Sequence, residues 1–163
     1  MAIILRCKLL TWPTRGIWTR ASRHGRPTRE LVGPDAQAAW LVAQHAISLP
    51  DDERKCSEIL AHAFAVGQVP AWQMAMLLDR IRTFEEQPQA YGTQFDWDDE
   101  RKLSPVFIEN RDGVDQRHLD VGLKMPRSGH ETYPGERRGA VRLANLAEYG
   151  RRMDEGARRA GWR

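Results

Sequence analysis

The sequence predicts a mainly α fold: a compact helical domain of about five helices, with a short β-hairpin after the third main helix. Three observations carry this expectation. Apolar residues recur at the i, i+3, i+4, i+7 spacing in separate stretches between residues 35 and 121 and again near the end of the chain. Proline and glycine stand where those stretches begin and stop. One region alone, Phe95 to Ile108, pairs two short β-type runs around a polar turn. A length of 163 residues, a hydrophobic fraction of 41% and six tryptophans suit a modest globular core.

The first helix is expected from Pro34-Asp35 to Leu49-Pro50, a proline and an acid marking its entry. Ala36, Ala39, Trp40, Ala43, Ala46 and Ile47 make one apolar face, and Ala38, Leu41 and Val42 make a second stripe that His45 completes. Only Gln37, Gln44 and Ser48 remain for water, so His45 is expected to be at least partly buried.

A second helix follows, capped by Asp51 or Asp52 and running from Glu53 to about Val66, where Gly67 stops it. Its stripe is Cys56, Ile59, Leu60, Ala63 and Phe64, with His62 on the solvent side. Pro70 opens a third helix reaching about Glu85. Met74, Leu77, Leu78 and Ile81 form one face; Trp72, Ala75 and Met76 form another, which Asp79 completes. A carboxylate in that position needs a charge or hydrogen-bond partner from another element, because burying it alone costs several kcal/mol. His45 is a candidate.

Pro88 and Gly92 then break the helical pattern, Gly92 implying a turn or a close backbone approach. Phe95-Asp96-Trp97 and Pro105-Val106-Phe107-Ile108 are expected to pair as the hairpin. The acidic run Asp96, Asp98, Asp99, Glu100 lacks the glycine and terminal glutamate of a calcium loop and reads as a solvated turn. A short helix spans Val114 to Val121, closed by Gly122, and a terminal helix runs from Leu143 to about Ala160. The domain organisation is accordingly a basic arm at 1–27, a helical core with hairpin at 28–123, and a Pro/Gly-rich loop plus packed helix at 124–163.

Charge is unevenly divided. Residues 1–30 hold seven Arg/Lys against one acid, residues 31–110 six against thirteen, and residues 111–163 twelve against eight. The arginines are scattered and no nucleic-acid motif accompanies them, so the basic ends read as arms on an acidic body rather than a nucleic-acid contact. No apolar run approaches the roughly 20 residues of a membrane span, and the first ten residues are too broken by charge for a secretory signal. A cytoplasmic location is expected. Cys7 and Cys56 form neither a disulfide framework nor a CxxC clip.

The segments Arg26-Pro27-Thr28 with Leu31-Val32-Gly33, Ala39 to Ala46, Leu78-Asp79-Arg80-Ile81 and Gln89-Ala90-Tyr91-Gly92-Thr93-Gln94 carry a resemblance. Pro105, Ile108-Glu109, Val114-Asp115 and Val121-Gly122-Leu123 extend it. Over residues 25–123 the chain resembles a bacterial family of uncharacterised small domains, the domain of unknown function numbered 6624, from which it departs in carrying Arg26 where members carry Trp. The resemblance implies one small helical domain and draws attention to Gln44, His45, Asp79, Arg80, Tyr91, Thr93 and Gln94. It implies no reaction.

These residue types nevertheless make a chemically coherent set. The leading expectation is a small-molecule enzyme of hydrolase, lyase or isomerase type acting on a polar or anionic substrate. His45 would be the general acid/base and Asp79 would fix its tautomer. Arg80 would hold an anionic group, while Gln44, Tyr91, Thr93 and Gln94 would bind and orient the substrate. The alternative is a non-catalytic ligand-binding or protein-interaction domain in which the same residues are a buried structural network. A metal held by His45 and Asp79 with Cys56 or His62 matches no standard zinc spacing, so neither metal nor cofactor is assigned.

Overall fold

A computed structural model describes residues 40, 41, 43–98, 103–123 and 145–163, and these are mostly helical. They carry four α-helices: α1 (Pro50–Ala65), α2 (Ala71–Phe84), α3 (Val114–Asp120) and α4 (Leu146–Ala160). A two-stranded antiparallel sheet, β1 (Phe95–Trp97) and β2 (Leu103–Pro105), follows α2, and a 3-10 turn at Arg111–Gly113 leads into α3. The basic arm and the first half of the first expected helix lie outside the described residues, as does most of the Pro/Gly-rich loop. The chain divides into two compact units, Met1–Leu77 and Leu78–Arg163.

In the first unit, residues 40, 41, 43 and 44 are helical, and the chain then leaves the helix for a turn. The helix stops at Gln44, short of the expected Leu49 boundary, and Pro50 is the first residue of α1. The residue before a proline is driven out of helical conformation, and Leu49 stands at φ −132°, ψ 70°. Residues 45–49 are consumed by the connection, through the tight bonds Ala46 N to Ala43 O and Leu49 N to Ala46 O.

Proline at the start also displaces the expected cap. Leu49 is the N-cap and makes no side-chain cap bond, while Asp51, Asp52 and Glu53 sit within the first turn, at the positive end of the helix dipole. The buried face of α1 is Glu53, Cys56, Leu60 and Ala63; Phe64, expected in the stripe, is exposed and His62 faces solvent. Gly67, at φ +72°, follows the end of the helix in the left-handed region. Trp40 closes this unit's core. Its Nε1 donates to the Gln73 carbonyl at 3.2 Å, and its ring meets Trp72 edge-on at 4.9 Å.

Every residue of α2 is buried or half-buried, as two apolar faces require. In the second unit, α4 begins at Asn145, whose Oδ1 accepts from Glu148 N at 3.0 Å. It ends in Gly161 at φ +89°, which turns Trp162 inward to stack on Phe84 at 5.0 Å. Arg163 fastens this end: it donates to the Phe84 carbonyl, pairs with Glu86 at 3.1 Å and binds Asp154. That hydrogen bond from Arg163, together with the charge of Arg158, holds the Asp154 carboxyl below its ordinary range. Burial, and then the Asp96 charge, raise the Tyr149 phenol.

The hairpin falls where expected, but its second strand lies earlier. The register is Phe95 to Pro105, Asp96 to Ser104 and Trp97 to Leu103, whereas pairing was expected from Pro105 to Ile108. Val106 N still donates to Gln94 O in the same register, while Ile108 forms a parallel bridge with Gln89. The strand edges are blunted, since Pro105 has no N–H to offer and the Asp96 side chain accepts the Trp97 N–H at 2.8 Å.

Burial, with Asp52 and Glu53 nearby, pushes the Cys56 thiol up to about 12. Cys56 is therefore expected to resist iodoacetamide at pH 8 in the native protein and to react once the chain is unfolded in urea, read by peptide mass spectrometry. The unfolded thiol loses its proton near 9 while the folded one keeps it to about 12. The stabilisation is thus complete below pH 9 and is lost as pH rises through the folded value. Cys56→Ala is expected to flatten the decline in urea midpoint between pH 9 and pH 11.

Candidate functional site

Asp79, fully buried on α2, faces the loop that follows that helix. Its Oδ1 accepts from Ala90 N at 2.8 Å and Tyr91 N at 3.1 Å. Its Oδ2 accepts from Tyr91 N at 3.2 Å, Thr93 N at 2.9 Å and the Thr93 hydroxyl at 3.0 Å. A carboxylate has about four lone-pair sites, so the loop takes up its whole accepting capacity. The expected need for a partner from another element is met, and the partner is backbone.

Gln89 performs the complementary task beside it. Its side chain is fully buried. Oε1 accepts from Gln94 N at 2.6 Å, while Nε2 donates to Gln94 O at 3.0 Å and Val106 O at 2.8 Å. The carboxamide lies between Gln94 and Val106 just beyond β1 and β2, acting as a surrogate peptide unit where the strands part. Its own backbone is fixed by Gln89 N donating to Phe107 O and Glu109 N donating to Gln89 O, both at 2.9 Å.

The carbonyls of the same loop are taken by basic side chains. Arg82 NH1 donates to Pro88 O at 3.3 Å and to Glu109 Oε2 at 3.0 Å. From α3, Arg117 Nε donates to Ala90 O at 2.6 Å, and its NH2 reaches Glu109 O and Asn110 O. The buried His118 bonds the Tyr91 carbonyl through Nε2. Gly92 sits at φ +67°, a backbone that favours glycine, and a Cβ there would stand 2.6 Å from Ile108 Cδ1 and push the end of that side chain aside.

The seven expected site residues therefore fall into distinct settings. Asp79, Thr93 and Gln94 share one network, since Gln94 Nε2 donates to the Thr93 hydroxyl at 3.2 Å. Tyr91 contributes its backbone to that network, with a half-buried side chain, and Arg80 is half-buried on α2. Gln44 and His45 belong to the first unit.

There the helical wheel needs correction. Among the described residues of this helix, Trp40, Ala43 and Gln44 are buried, Gln44 only 2% exposed with Nε2 donating to the Met76 carbonyl at 3.4 Å. Two described residues of the second stripe face water instead: Leu41 is 45% exposed and His45 is exposed, its Nδ1 within 2.7 Å of the Leu41 carbonyl. The helix ends at Gln44, so the position seven residues after Ala38 no longer lies on its surface.

Arg82, Gln89, Arg117 and His118 contribute to this network and were not singled out for the site in the sequence. Val114, His118 and Val121 share one face of a short helix, a spacing that could have signalled an inward histidine. Among the described residues, no group of three or more His, Cys, Asp or Glu is gathered to hold a metal ion, and no helix is long and apolar enough to cross a membrane.

Removing the carboxylate should leave three amide N–H groups without their acceptor. Asp79→Ala is expected to lower stability by about 3 kcal/mol or more in urea titration, each buried unsatisfied donor costing about 1–3 kcal/mol. Gly92→Ala is expected to cost about 2 kcal/mol, from the left-handed backbone and the clash with Ile108. Gln89→Glu should exceed Gln89→Ala in its effect, because it sets a carboxyl oxygen against the carbonyls of Gln94 and Val106; equal midpoints for the two variants would contradict the surrogate-peptide geometry.

No family model, curated protein or solved structure matches the chain.

Proposed function

We propose that the chain is a non-catalytic ligand-binding or protein-interaction domain, in which the buried Asp79 and the half-buried Thr93 and Gln94 form a structural network. The observation that supports this reading is the set of five hydrogen bonds from Ala90, Tyr91 and Thr93 to Asp79. A carboxylate engaged in this way shapes a loop and has no oxygen to spare for orienting an imidazole. On this reading, the loop is built in advance for recognition: fixing its backbone before contact reduces the ordering cost of binding. Tyr91 and Arg80 are the side chains through which it would meet a polar or anionic small molecule. A cytoplasmic location and membership of the family that the chain resembles belong to the same proposal.

A second reading, acid/base catalysis by His45, draws on the Nδ1 contact with the Leu41 carbonyl. A proton held on Nδ1 by a backbone carbonyl leaves Nε2 as the basic nitrogen, so Leu41 rather than Asp79 would set the tautomer. Hydrolysis, elimination and isomerisation remain the reactions such a base serves.

Two variants separate the readings. His45→Ala removes an exposed side chain and is expected to leave the unfolding free energy within about 0.5 kcal/mol of wild type, while Asp79→Ala is strongly destabilised. A panel of polar and anionic compounds, screened with the full chain by thermal shift and by product analysis, is expected to give binding without turnover. Turnover that disappears in His45→Ala, with the unfolding midpoint unchanged, would overturn the binding-domain proposal in favour of the acid/base one.

A further inference from the structure

We draw no further inference here: the strongest candidate, the apolar hairpin face of Phe95, Trp97, Leu103 and Pro105 that runs on to the 69% exposed Phe107, carries nothing because nothing in the structure shows what covers it.

Discussion

A buried carboxylate and a buried run of peptide N–H groups are each costly alone, and the second unit resolves both costs by setting one against the other. Asp79 lies where α2 supplies no donors of its own, because the N–H groups inside a helix are already spent on its ladder. The loop has the opposite difficulty: Ala90, Tyr91 and Thr93 have left the helix and have not yet entered the hairpin, so no ladder receives their N–H groups. Five hydrogen bonds join the two. The conformation of the loop follows from this meeting, including the positive φ at Gly92 that lets three amides converge on one side chain.

The carbonyls of the same loop need partners as well. The Pro88, Ala90 and Tyr91 carbonyls are met by Arg82, Arg117 and His118. This explains how α3 persists at seven residues, a length at which an isolated helix is marginal in water. Two of its side chains are bonded into the loop, and Val121, just past its end, is buried. The first unit relies on a more ordinary arrangement, in which Trp40, Cys56, Leu60 and Ala63 bury apolar area and Trp40 spends its one donor on a helix carbonyl.

Much of the fold was legible in the sequence because helical periodicity and its punctuation are local properties. The positions of α1, α2 and α3 follow from stripes bounded by Pro50, Gly67, Pro70, Pro88 and Gly122. The extent of the second strand was not legible, since it depends on Gln89, whose side chain takes the Val106 carbonyl and whose backbone bridges to Ile108. Part of the site was visible as chemistry: Asp79 had to find donors, and Gly92 implied a turn or a close backbone approach. That the donors are main-chain amides could not be read, because backbone groups are identical at every position and leave no mark in the sequence. The burial assigned to His45 failed for a different reason. A wheel presumes that the helix continues, and the helix ends at Gln44, one residue before the imidazole.

The Gln89 carboxamide has a consequence for how this chain can vary. Connecting loops ordinarily absorb insertions and deletions, since their backbones answer mainly to water. Here one side chain must span a fixed distance from residue 89 to residue 94 while offering an acceptor and two donors in the right order. Asparagine is a methylene too short, and glutamate has no donors in that form. Adding or removing one residue between the two positions would carry Gln94 away from the amide. The segment after α2 is thus a loop by conformation that should evolve like a core strand, holding both its length and its residue types while the surface around it drifts.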